Sequence, residues 1–145
     1  LRNAVWDHLH HRSVRTRLND VDLVYYDRAD ISQQAEEHIA WHLRKTLPGV
    51  PWEVRNQARM HLKHGDAPYA DSTAAIAAWV EMPTCVGVCL EGDTLSFTAP
   101  FGLQHNWSLR VDPNPLKIPE AVVYNGRIRD KEWTRLWPGL RITWL

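Results

Sequence analysis

The sequence predicts an α+β fold, or an irregular α/β one, from three observations. Short runs of strand-forming residues are mixed with segments of helical period. The two kinds do not alternate steadily enough for a repeated βαβ array. Near residue 90, two extended runs are joined by Glu91-Gly92-Asp93, which reads as a hairpin. A length of 145 residues suits one domain with one core.

The elements come in this order. Residues 3–11 (NAVWDHLHH) place Val5, Trp6 and Leu9 on one side of a short helix. SVRTRLN is a polar connection, and VDLVYY is the first clear strand. DRADIS comes next, where Asp30 or Ser32 can cap a helix over about 32–46. Ala35, Ile39, Trp41 and Leu43 mark the apolar positions of that helix, and Leu47-Pro48-Gly49 stops it. Trp52 to Arg55 is a second strand, between Pro51 and a helix at 57–64. HGDAPYAD is a turn-rich loop, and residues 72–80 form another helix with a Ser or Asp cap. The runs 85–90 and 95–99 make the hairpin. Residues 103–110 are a short helix or turn, and DPNPLKIP is a crossing loop. Asp130 caps a final helix near 130–137, and LRITWL is extended.

Composition removes several function classes. The 17 Lys and Arg balance the 17 Asp and Glu, so net charge does not mark a general polyanion binder. Four arginines (Arg2, Arg12, Arg15, Arg17) do gather near the start. Eight tryptophans are many for this length, and packing is their main expected use, with one or two available to stack on a base or sugar. Two cysteines, Cys85 and Cys89, are too few for a disulfide framework. A reducing cytoplasm and two buried, inert thiols are expected. No apolar window is long enough to span a membrane, and no signal-peptide pattern is read. The sequence starts at Leu1 inside what reads as structured chain, so a preceding N-terminal piece is expected.

The stretch NDVDLVYYD holds the chemistry. Period-two geometry puts Asp20 and Asp22 on one face, where their charges repel unless a cation sits between them. Magnesium is held by a few carboxylates together with phosphate oxygens, and paired ions can clamp both oxygens of a nucleotidyl transfer. The plainer reading of D-x-D is a solvated strand end with one aspartate capping a turn.

The surrounding residues carry a resemblance. Arg2, Asn3, Trp6 and Asp7 form R-N-x-x-W-D, and Asp20, Asp22, Tyr26 and Asp27 come after it. Then comes W-x-V-x-N-Q-A-R-M-H, from Trp52 through Val54, Asn56, Gln57, Ala58, Arg59 and Met60 to His61. Pro68-Tyr69, Ala75-Ile76 with Trp79, Pro100 with Gly102-Leu103, and Trp133, Trp137 and Pro138 complete the set. Over nearly its whole length the chain resembles a family of bacterial nucleotidyltransferases of the polymerase-beta-like superfamily, and is distantly similar to CCA-adding enzyme head domains.

The resemblance implies a small mixed sheet flanked by helices, with a C-terminal β-hairpin and helix. It implies a single nucleotidyltransferase-like domain over 1–145, with a catalytic-like half at 1–80 and a family-specific half at 81–145. In that superfamily a Gly-Gly turn precedes the position of Arg2, and the sequence begins past it. The resemblance further implies transfer of a nucleoside monophosphate from an NTP to a hydroxyl acceptor, on Mg2+ or Mn2+ held by Asp20 and Asp22. Glu53 is the third catalytic acid, where CCA-adding enzymes have a comparable E-V pair. Arg2, Asn3, Asn56 and Arg59 are the substrate contacts. The acceptor stays open among a small molecule, a protein and a tRNA end.

Plainer readings stand beside these. Arg2 can be a frayed terminal residue, and Asn56 can be a helix cap followed by a solvated helix face. A non-catalytic member that binds a nucleotide or a protein is the second function class. A zinc hydrolase is the third. His38 and His42 share a helix face, but the segment reads E-H-I-A-W-H and lacks both the zincin pattern and a third ligand. No P-loop, dinucleotide fingerprint or nucleophilic Ser or Cys motif is present.

Overall fold

The computed structural model describes residues 1–145. The first half runs α1 (Arg2–Leu9), β1 (Val21–Tyr25), α2 (Gln33–Thr46), β2 (Trp52–Asn56), α3 (Gln57–His64) and α4 (Ser72–Ile76). A 3-10 turn at Met82–Thr84 leads to β3 (Gly87–Glu91), β4 (Thr94–Thr98), α5 (Gln104–Trp107), β5 (Arg110–Val111), α6 (Ala121–Asp130), α7 (Trp133–Leu136) and β6 (Arg141–Ile142). These elements form two compact units, one from residues 17–75 and one from 1–16 with 76–145.

The 17–75 unit is built on a parallel pair. β1 and β2 run in register, with Asp22 opposite Glu53, Leu23 opposite Val54 and Tyr25 opposite Asn56. Register partners share a face, and faces alternate along each strand. One face therefore carries Leu23, Val54, Tyr25 and Asn56, with Val54 and Asn56 buried. The other carries Asp22, Glu53, Val24 and Arg55.

The connection between these parallel strands is α2, which packs on β2. Ser32 starts it by accepting the Ala35 N–H at 3.2 Å. Leu47 ends it, two residues before Gly49 turns the chain at φ 87°. α3 continues from β2 without a loop, and its left-handed C-terminal residue is Gly65.

The other unit packs around indoles. Trp6, Val111, Tyr124, Ile128, Trp133, Trp137 and Leu140 make one buried cluster. Trp6 meets Trp133 and Trp137 edge-on, with ring centroids 5.5 and 5.1 Å apart. Asp7 lies at the border of this cluster. It accepts the indole N–H of Trp137 at 2.8 Å, and the Thr16 N–H and hydroxyl at 2.8 and 2.6 Å. Burial pushes the Asp7 carboxyl up, but those bonds and the Arg12 charge outweigh it and hold the group below the usual carboxylate range. A second buried acid, Glu81, takes the Arg127 guanidinium at 2.6 Å.

Three sequence expectations are corrected. The helix at 72–80 stops at Ile76, where Trp79 already bonds back to the Ile76 carbonyl in a tighter turn. The final helix at 130–137 is two helices. Asp130 closes α6 rather than capping a helix, and Glu132 turns the chain into α7 with φ 50°. The cysteines are not alike. Cys85 is buried, and burial pushes its thiol up to about 12, whereas Cys89 lies exposed on β3. Of the tryptophans, 6, 133 and 137 are core, while Trp41, Trp107 and Trp144 are about half exposed.

Candidate active site

The acidic strand lies within the 17–75 unit. A bond of 2.8 Å from the Val21 N–H to the Pro51 carbonyl starts β1, and Asp20 sits one residue before it. Asp20 and Asp22 are both exposed. The register sets Glu53 directly beside Asp22, on the same face. Glu53 is half-buried and its carboxylate is bound by Arg55, two residues along β2. Arg55 also donates to the Val54 carbonyl at 2.9 Å, which holds it in that position.

An open groove of about 910 Å³ runs beside β2. Asp20, Glu53, Glu36, Arg44, Arg55 and Arg59 are among its lining residues, and Asp22 and Asn56 are not. Acids and guanidinium groups thus share one wall. Nowhere are three or more His, Cys, Asp or Glu side chains gathered as a metal-holding cluster.

The groove also holds a residue that the sequence reading missed. Glu36, buried on α2, takes Arg59 Nε and Nη2 at 2.8 Å each. Its Oε1 also accepts the Asn56 N–H at 2.7 Å. Burial pushes the Glu36 carboxyl up, but the bonds from Arg59 and Asn56 outweigh it and hold it below the ordinary range. The same pairing raises Arg59. The signal was present in the sequence. Glu36, Ala40 and Leu43 keep helical spacing, so a carboxylate occupies an inward position.

Asn56 has the role that the plainer reading gave it. It is fully buried and caps α3, with its side-chain oxygen accepting the N–H groups of Ala58 and Asp27 at 3.0 Å each. Its amide donates to the carbonyls of Asp27 and Asp30 at 2.7 and 2.9 Å. All four bonds are made inside the protein, and through them Asn56 fastens the loop after β1.

Arg2 and Asn3 belong to the other unit. Arg2 begins α1, as the sequence implied, and its guanidinium sits 5.1 Å from the Trp6 ring and 4.6 Å from the Trp133 ring. It donates to the Asn3 side-chain oxygen at 3.1 and 2.9 Å.

Residues 1–142 match the model of a protein family described as nucleotidyltransferase. No curated protein matches the sequence. Among solved structures, the chain is similar to an NMR structure that reveals a CCA-adding enzyme head domain. The TM-score is 0.82 and the identity 27%, covering 99% of this chain and 78% of the other. The α+β arrangement of small sheets flanked by helices is thus a nucleotidyltransferase fold.

Proposed function

This chain belongs to the nucleotidyltransferase family, and we propose that it transfers a nucleoside monophosphate from an NTP to a hydroxyl acceptor. The observation that carries this reading is the register of Asp22 beside Glu53, with Asp20 just before the start of β1. In the reaction the acceptor oxygen bonds to the α-phosphorus, the bond to the bridging oxygen breaks, and pyrophosphate leaves.

Each residue has a part. The candidate ligands are the carboxylate oxygens of Asp20 and Asp22, and hard oxygen donors suit Mg2+ or Mn2+. Asp20 and Asp22 would hold the ion, which when bound offsets phosphate charge. Glu53 would bind a second ion or take the proton of the acceptor hydroxyl, with Arg55 fixing its rotamer. Arg59 would contact phosphates while anchored on Glu36. Asn56 would position the loop after the strand.

A small molecule, a protein or a tRNA end would serve as acceptor. Balanced charge favours a short acceptor over a long nucleic acid. No helix is long and apolar enough to cross a membrane, and a cytoplasmic setting is part of the proposal.

One observation favours a second reading. The Glu53 carboxylate is occupied by Arg55, as expected of a member that binds a nucleotide or a protein without turnover. Calorimetry with Mg-NTP or Mn-NTP, on the parent and on Asp20→Ala/Asp22→Ala, tests the site. Binding lost in the double variant, together with metal-dependent pyrophosphate release by the parent, supports transfer. Binding without release supports the second reading. No binding by the parent overturns transfer and leaves the second reading only a ligand other than a metal-bound NTP.

A further inference from the structure

The exposed side of α2 carries an arrangement that nucleotidyl transfer does not use. His38 and His42 stand one turn apart, and their Nε2 atoms are 3.2 Å from each other. The rings cross at 78° with centroids 4.6 Å apart. Trp41 is 48% exposed and meets His42 edge-on at 4.7 Å. Lys45 places its ammonium 3.9 Å from the Trp41 ring centroid, so its charge is held on the indole. At about 100° per residue, His38 and His42 point away from Glu36, Glu37, Ala40 and Arg44, which line the groove.

The spacing of the two nitrogens is that of two ligands on one ion. With a metal–nitrogen bond of about 2.1 Å, ligands at a right angle are about 3.0 Å apart, and at the tetrahedral angle about 3.4 Å. The observed 3.2 Å lies between these. Imidazole χ2 is broad, so small ring rotations bring both lone pairs onto one point. In the metal-free pair, one Nε2 must carry a proton to bond the other. Moving that proton to Nδ1 leaves two Nε2 lone pairs, with no net change in protonation.

We propose that His38 and His42 form a two-imidazole clip on α2 for a borderline divalent transition-metal cation, Cu2+ ahead of Ni2+ and Zn2+, with water filling the other positions. The order is that of the general affinity series for nitrogen ligands. With only two protein ligands this is neither a structural nor a hydrolytic zinc site. A bound ion would bridge consecutive turns of the helix whose buried Glu36 holds Arg59 and Asn56. The clip therefore stiffens α2 from the side opposite the groove, and it stands whether or not nucleotidyl transfer does.

The test is a titration of the chain with CuCl2 against glycine as a competing chelator, followed by tryptophan emission and calorimetry. One tight equivalent is expected, with quenching and a raised unfolding temperature. His38→Gln and His42→Gln should each weaken it by at least about tenfold, because a single imidazole loses the chelate advantage. Glutamine is a good helix former on this exposed face, so both variants should keep the parent circular dichroism. Trp41→Phe should bind like the parent while losing most of the quenching. Electron paramagnetic resonance of the copper-loaded parent gives a measure that needs no variant, with two equivalent nitrogens expected. Parent-like affinity in either histidine variant, a single coordinating nitrogen, or no tight equivalent would overturn the proposal.

Discussion

Arg59 grips Glu36 with two parallel bonds of 2.8 Å, and Glu36 in turn holds the backbone N–H of Asn56, the last residue of β2. One buried carboxylate thereby joins α2, β2 and α3. Removing one partner of a buried pair leaves the other uncompensated. Glu36→Ala should therefore destabilise the fold by about 3 kcal/mol, read by urea unfolding at neutral pH.

The same pair sets an acid limit. The Glu36 carboxyl is held below the ordinary range in the folded chain. Its contribution is therefore fully present above the unfolded value, and is lost as pH falls through the lowered folded value. The stability gap between the parent and Glu36→Gln should be constant near neutrality. It should narrow once pH drops below the ordinary glutamate range, measured as urea midpoints across an acid series. A gap that does not change with pH would remove the charge from this account.

Asn56→Ala should loosen the loop after β1. Two N–H groups, of Asp27 and Ala58, and two carbonyls lose their partner. A cost of at least ~2 kcal/mol is expected, since each buried group left unpaired costs about 1–3 kcal/mol. Hydrogen exchange should show the Asp27 amide losing its protection.

Asp7→Ala should cost about 2 kcal/mol, because the Trp137 indole N–H and two Thr16 donors lose their acceptor together. Tryptophan emission should shift as the environment of Trp137 relaxes. Asp7→Asn keeps one acceptor oxygen and should cost less.

Native thiol labelling should modify one cysteine per chain. Cys89 is exposed, whereas Cys85 is buried with its thiol pushed up to about 12. Mass spectrometry after brief alkylation should find the label on Cys89, and on both residues after denaturation.

Features governed by local rules were legible in the sequence. The period-two run of VDLVYY gave β1, and the stop at Pro48-Gly49 bounded α2 within a residue or two. Features that depend on distant partners escaped. Ala121–Asp130 has weak amphipathic character, and its buried residues, Tyr124 and Ile128, are fixed by Trp6 and Val111 from elsewhere in the chain. The engagement of Arg59 by Glu36 crosses 23 positions, and spacing within either helix does not reveal it. The two motifs R-N-x-x-W-D and W-x-x-x-W-P became intelligible only when Trp6, Asp7, Trp133 and Trp137 met at one cluster.

That meeting has a bearing on synthesis at the ribosome. The residues that bury Trp6 and bond Asp7 include Trp137, made 130 positions after Asp7. Until then Trp6 lacks the Trp137 ring that it meets edge-on, although Trp107 already stands beside His8 of the same helix. Residues 17–75 are continuous, and their strand pair can close as soon as they emerge. The packing of Trp6 is therefore complete only after residues 133 and 137 have been made. A chain cut short before residue 133 would lack both indoles that meet Trp6 edge-on and leave that cluster incomplete.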